Sequence, residues 1–166
     1  MKPKLIILRG NSGSGKSSLA KELQHRLGRN TMVIAQDTVR REMLWVRDLP
    51  DTPAIALLIE LLRYGYAHSK VTILEGILYA DIYRPLFEEA VKLFGNRQTF
   101  AYYYDIPFEE TLLRHQTKVN REKFGAEEMK RWWREKDYSP VLSERVLTAD
   151  VSLEDAAEEI YQTIHL

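Results

Sequence analysis

The stretch that most constrains this chain runs Gly10-Asn11-Ser12-Gly13-Ser14-Gly15-Lys16-Ser17. It fits G-x-x-x-x-G-K-[ST], a loop whose backbone N–H groups cradle phosphate oxygens. Lys4-Leu5-Ile6-Ile7-Leu8 precedes it, a short apolar run suited to a buried parallel strand. After it, Leu19, Leu23 and Leu27 recur at helical spacing, and Gly28 supplies a left-handed stop. Strand, glycine loop and helix are the context in which the motif works.

The chemistry follows from that context. The glycines let the backbone curl so that successive N–H groups point inward, and the positive end of the next helix adds to the field. Lys16 can reach the β- and γ-phosphates, and the Ser17 hydroxyl can ligate Mg²⁺. The run from Gly10 to Ser18 is therefore the candidate cofactor site, read for ATP with Mg²⁺. The expectation is that the chain binds a nucleoside triphosphate.

Downstream, strand-like and helix-like stretches alternate. Thr31–Ala35 reads as a second buried strand ending at Gln36-Asp37. Thr38 is placed to cap a helix running through Leu49, and Thr52-Pro53 to open another. Val71–Leu74 is a third strand, closing on Glu75-Gly76, and Pro85 starts a helix that Gly95 ends. Thr99–Tyr104 is a fourth strand ending at Asp105, and Ile106-Pro107 begins a long helix carrying Arg114, His115 and Lys118. The pattern loosens from Val119 to Ala126, then resumes as a helix from Glu127 to Lys136. Arg145–Leu147 is a weak fifth strand, and Ser152 with Asp155 forms a capping-box-like start to a last helix reaching about Ile164. This predicts an α/β fold in three layers, a five-stranded parallel sheet with helices on both faces and a helical lid over 115–136.

At 166 residues the chain is expected to be a single domain, 1–166. It has no cysteine, hence no disulfide framework and no thiolate metal site. Its one N-terminal apolar run is too short for a signal peptide or a membrane span, so a cytoplasmic protein away from membranes is expected. A net charge of zero argues against bulk electrostatic binding to extended nucleic acid. The basic residues are unevenly placed, however, with eight Lys/Arg against four Glu between Arg114 and Lys136.

Ligands in such sheets sit at the carboxyl ends of the strands. Asp37 falls there, about one helical turn before Arg40 and Arg41, a carboxylate for an acceptor hydroxyl beside guanidinium groups for an anionic group. The alternative is that Asp37 only caps the helix. Glu75 ends an apolar strand and can hold Mg²⁺ through water or bind substrate hydroxyls; the alternative is a solvated strand-end charge. Asp105 is better read as opening its helix than as catalytic. Arg114, Lys118 and Arg121 recur on one side of a helix that then breaks, and basic residues on a closing segment can neutralise transition-state charge. The catalytic candidates are thus Lys16, Asp37, Arg114 and Arg121; Asp37, Arg40, Arg41 and Glu75 are candidates for substrate, Ser17 and Glu75 for metal. His115, Trp132 and Trp133 read as structural.

With these residues in view, the chain resembles the P-loop kinases of the nucleoside-monophosphate-kinase and shikimate-kinase type. Within them it is similar to the small kinase-like ATPases related to polynucleotide 5′-kinase and chloramphenicol phosphotransferase. The resemblance spans the chain and rests on Gly10 to Ser17, Asp37-Thr38-Val39-Arg40, Ile73-Leu74-Glu75-Gly76 and the Arg114-His115 to Arg121 region. It implies Mg-ATP as donor, Asp37 as base, a mobile lid, and an adenine pocket including the Thr148 to Ser152 loop. Many lids of this type carry Arg-x-x-x-Arg; here Lys118 follows Arg114, which leaves Arg121 as the second arginine. The leading expectation is γ-phosphoryl transfer from ATP to a hydroxyl of a small-molecule acceptor. The alternatives are a kinase of nucleoside or polynucleotide 5′-hydroxyls and, from another class, a nucleotide-dependent regulatory ATPase.

Overall fold

The computed structural model describes residues 1–117 and 122–166. Strand β1, Lys4–Gly10, carries Leu5, Ile6, Ile7 and Leu8 with no exposed surface, so it must lie inside a sheet covered on both faces. The other strands are β2, Thr31–Ala35, β3, Val71–Gly76, β4, Thr99–Tyr104, and β5, Glu144–Leu147. They pair all-parallel in the order β2-β3-β1-β4-β5.

Helices follow in chain order: α1, Lys16–Leu27, α2, Gln36–Thr38, α3, Ala54–His68, α4, Arg84–Phe94, α5, Phe108–Gln116, α6, Ala126–Trp132, and α7, Leu153–His165. One face of the sheet is sealed by α1 and α7, whose Leu19, Leu23, Ile160 and Ile164 pack with Ile6, Leu8 and Ile73. The other is sealed by α3 and α4, whose Leu58, Leu62, Leu86 and Phe87 pack with Leu5, Ile7 and Leu74. Truncating a fully buried leucine such as Leu58 to Ala costs about 2–5 kcal/mol. Among the described residues no helix is long and apolar enough to cross a membrane.

Several elements begin and end where local chemistry put them. Ser152 caps α7 by accepting from the Asp155 N–H at 3.1 Å. Thr52 Oγ1 accepts from the Ala54 N–H ahead of α3, and Gly95 ends α4 at φ +83°.

Three helices differ from expectation. The helix expected from Thr38 to Leu49 is instead the short α2 and a π-type turn, Val39–Met43. The chain is pulled out of helical register there by one tertiary bond and one local one. Asp48 accepts from the Tyr83 hydroxyl, and Arg40 donates to Val46 O at 3.1 Å. Helix α5 ends at Gln116 with Thr117 Oγ1 donating to Arg114 O, so the expected continuation through Lys118 falls outside the described residues. Helix α6 stops at Trp132 rather than Lys136, because the next residues leave to bond the glycine loop.

Candidate active site

Strand register brings the candidate residues to one edge. Leu8 lies beside Glu75, Arg9 beside Gly76 and Gly10 beside Tyr104, while Ala35 lies beside Glu75 from the other side. The glycine loop therefore emerges between the ends of β3 and β4, with Gln36 and Asp37 next to Glu75.

The loop's curvature depends on glycine at Gly13, where φ is +79° and an added Cβ would sit 2.6 Å from the Thr111 carbonyl oxygen. Gly15, at φ +109°, turns the chain into α1. Ser14 is fully buried, and the Lys16 ammonium donates to Asn11 O at 2.8 Å and to Ser14 Oγ at 3.2 Å. Lys16 is thus held back along the loop with its charge over the concave side.

Ser17 Oγ donates to Glu75 Oε1 at 3.0 Å. Glu75 is only 6% exposed, so it is not a solvated strand-end charge. A hydroxyl and a carboxylate at this spacing are hard oxygen donors, and with phosphate and water oxygens they fit a Mg²⁺ ion, which keeps most of its ligands outside the protein.

Asp37 lies inside the α2 turn and not at its N-cap, which is Ala35. That removes the geometry of the capping alternative. Its carboxylate pairs with Arg41 Nε at 2.8 Å and Arg40 Nη2 at 3.3 Å. The two arginines then part company. Arg41 lines the cleft with Lys16, Ser17, Asp37 and Glu75, whereas Arg40 turns toward Val46 O and Asp48 and does not line it. The π-type turn accounts for this separation.

Arg114, expected to neutralise transition-state charge, is tied to backbone carbonyls and a carboxylate. Its Nη1 donates to Ser14 O at 2.6 Å, Nη2 to Ala149 O at 3.2 Å and Nε to Glu110 at 3.1 Å. It lines a second cleft with Gly15, Ser18, Tyr104 and the 149–153 segment, on the other flank of the loop from Asp37. Arg121 lies outside the described residues. Asp105 neither opens α5, whose N-cap is Pro107, nor reaches the Lys16 cleft; it accepts from Lys136 Nζ at 2.6 Å and Tyr138 OH at 2.8 Å.

Five contributors, Gln36, His115, Phe124, Trp132 and Arg9, escaped the sequence reading, and Asn11, expected in the phosphate loop, takes a second role. Gln36 is buried in the cleft wall and donates to the Tyr83 hydroxyl at 2.9 Å. His115, Phe124 and Trp132 line the same cleft. Asn11 Nδ2 donates to Arg134 O at 2.7 Å while its Oδ1 accepts the Arg134 N–H at 2.9 Å, tying the loop to the exit of α6. Arg9, fully buried, donates to Leu78 O, Asp137 O and Glu144 Oε1, the last at 2.6 Å, and so fixes the same exit segment against β1. None of these has a spacing signal, because each depends on which loop lands beside it.

Fold and site together define a P-loop kinase-like domain. The chain belongs to the AAA domain family, whose model matches residues 5–132. No curated protein matches the sequence. Solved structures share the fold at low identity. The APS kinase of Mycobacterium tuberculosis, in complex with AMPPNP and APS, is 23% identical with a TM-score of 0.65, covering 99% of both chains. A gluconokinase from Sinorhizobium meliloti 1021 is 16% identical with a TM-score of 0.68, over 98% of this chain and 92% of that one. The shikimate kinase of Acinetobacter baumannii, in complex with shikimate, is 19% identical with a TM-score of 0.61, over 98% and 93%.

Proposed function

We propose that this protein is an ATP-dependent kinase that transfers the γ-phosphoryl group to a hydroxyl of a small-molecule acceptor. The observation that carries the reading is the convergence of Lys16, Ser17, Asp37 and Glu75 on one cleft. A purely regulatory ATPase needs no carboxylate facing an acceptor, and Asp37 supplies one. Nucleotide and small-molecule complexes among the kinases of this fold support the same reading.

In this reading Lys16 and the loop N–H groups bind the β- and γ-phosphates. Ser17 and Glu75 hold Mg²⁺, which when bound neutralises charge developing on the phosphate oxygens. The second cleft, with Arg114 joining Ser14 to Ala149, takes the nucleoside end of ATP. Asp37, held by Arg41, orients the acceptor hydroxyl. The acceptor oxygen bonds to the γ-phosphorus as the bond to the β–γ bridging oxygen breaks; ADP leaves, and the hydroxyl proton passes to Asp37 and then to water. The expected lid, 115–136, closes over the cleft in this reading, with residues 118–121 lying outside those the structure describes.

The test is phosphoryl transfer from labelled ATP to a metabolite panel by the wild type and by Lys16→Ala. Loss of the ammonium is expected to lower transfer by about a hundredfold or more with little change in melting temperature. A folded Lys16→Ala protein with wild-type turnover, or turnover that no acceptor stimulates, overturns the assignment.

A further inference from the structure

Part of the wall of the Lys16 cleft is aromatic, and no part of the phosphoryl-transfer machinery requires that. Phe124 and Trp132 both line it, their rings edge to face with centroids 5.0 Å apart. The planar guanidinium of Arg41 lies 5.2 Å from the Trp132 centroid and 6.0 Å from that of Phe124 while bonded to Asp37. A flat group already rests on this wall, and it is joined directly to the carboxylate that faces the acceptor.

His115 adds a polar point to the wall. It is 5% exposed, stacks on Phe124 with ring centroids 4.5 Å apart, and its Nε2 sits 2.8 Å from Phe124 O. A carbonyl oxygen only accepts, so Nε2 carries the proton and, in the neutral ring, Nδ1 presents a bare lone pair. That Nδ1 is buried and has no hydrogen-bond partner among the described residues. A buried acceptor without a donor is costly, and a ligand that supplies one is recognised by it.

Resting on the kinase reading above, we propose that the acceptor is a planar-ring alcohol. It takes the place of the Arg41 guanidinium on Trp132 and Phe124, donates an N–H or O–H to Nδ1 of His115, and places its hydroxyl at Asp37. An open-chain polyol offers no face to such a wall and leaves most of it wet.

The test separates binding from turnover. With the nucleotide cleft filled by AMPPNP and Mg²⁺, binding of uridine and 4-hydroxybenzyl alcohol is measured against glycerol and xylitol by titration calorimetry. The ring alcohols are expected to bind at least tenfold more tightly. Trp132→Leu should weaken ring-alcohol binding about tenfold with Mg-AMPPNP affinity unchanged. His115→Gln keeps a donor for Phe124 O but has no atom in the place of Nδ1. It should weaken ring-alcohol binding about tenfold at an unchanged melting temperature, whereas a purely structural His115 leaves that affinity at the wild-type value. Equal or better binding of the open-chain polyols, no binding of either ring alcohol, or wild-type affinity in both variants overturns the proposal. Ring-alcohol binding without any phosphorylation of the bound alcohol instead counts against the kinase reading and leaves this one standing.

Discussion

The Ser17 hydroxyl and the Glu75 carboxylate meet at 3.0 Å across the ends of β1 and β3, one from the glycine loop and one from a strand whose every residue is buried. The pair exists because Leu8 and Glu75 are in register, so the loop and the strand end are fixed relative to each other by the sheet itself.

Ser17→Ala removes a hard oxygen ligand and is expected to weaken Mg²⁺-dependent ATP binding about tenfold or more, while metal-free nucleotide binding changes little. Glu75→Gln keeps an acceptor for Ser17 but loses the charge, so it should raise the Mg²⁺ concentration needed for half-maximal transfer. Calorimetric titration of ATP with and without Mg²⁺ checks the first, and transfer rates across a Mg²⁺ series check the second. Identical metal dependence in the two variants and the wild type removes this pair from the metal site.

Asp37 separates base from scaffold. Its ion pairs with Arg40 and Arg41 lie at the surface, where each contributes about 0.2–1 kcal/mol at most. Asp37→Asn should keep Mg-ATP affinity and melting temperature and lose transfer by roughly 10²–10⁴-fold. Near-normal transfer by the Asn variant shifts the base to another group.

Asn11 and Arg134 make a two-bond bridge between the loop and the exit of α6. At about 1 kcal/mol per bond, Asn11→Ala should cost about 2 kcal/mol, or about 4–8 °C in melting temperature for a chain of this size. Amide exchange over residues 132–137 should accelerate at the same time. An unchanged exchange rate there shows that the other bonds to the segment, from Arg9, Tyr79 and Tyr103 among them, secure it without Asn11.

One local source of pH-dependent stability lies at Asp105. The hydrogen bond from Lys136, with that from Tyr138 and against partial burial, holds the Asp105 carboxyl below its ordinary value of 3.8. A folded-state value below the unfolded one stabilises the fold fully above 3.8, and this is lost as pH falls through the folded value. Lys136 is more than half exposed, so solvent screening keeps the effect small. Asp105→Asn should melt below the wild type at pH 7, and the gap should close below pH 3.8, as thermal scans at both pH values would record.

The two lengths of Asp37's neighbourhood show how sequence and structure divide the work. Up to Ala35, β2 is written in apolar residues at strand spacing and was readable to the residue. Past Thr38 the same reasoning produced a helix through Leu49, and the chain instead makes a π-type turn, because Tyr83 holds Asp48 from outside the local sequence while Arg40 closes locally onto Val46 O.

The sequence by itself determined the glycine loop, the alternation of strands and helices, the parallel sheet and the residues at its carboxyl edge, since all of these follow from local spacing, glycine conformation and apolar periodicity. Only the tertiary structure decided that Arg41 and not Arg40 lines the cleft, that Arg114 joins Ser14 to Ala149, and that His115 and Trp132 line the Lys16 cleft. The Arg114 and Trp132 placements are set by contacts 35 to 100 residues apart in the chain, and a side chain's direction across such a distance is fixed by packing, which leaves no period in the sequence.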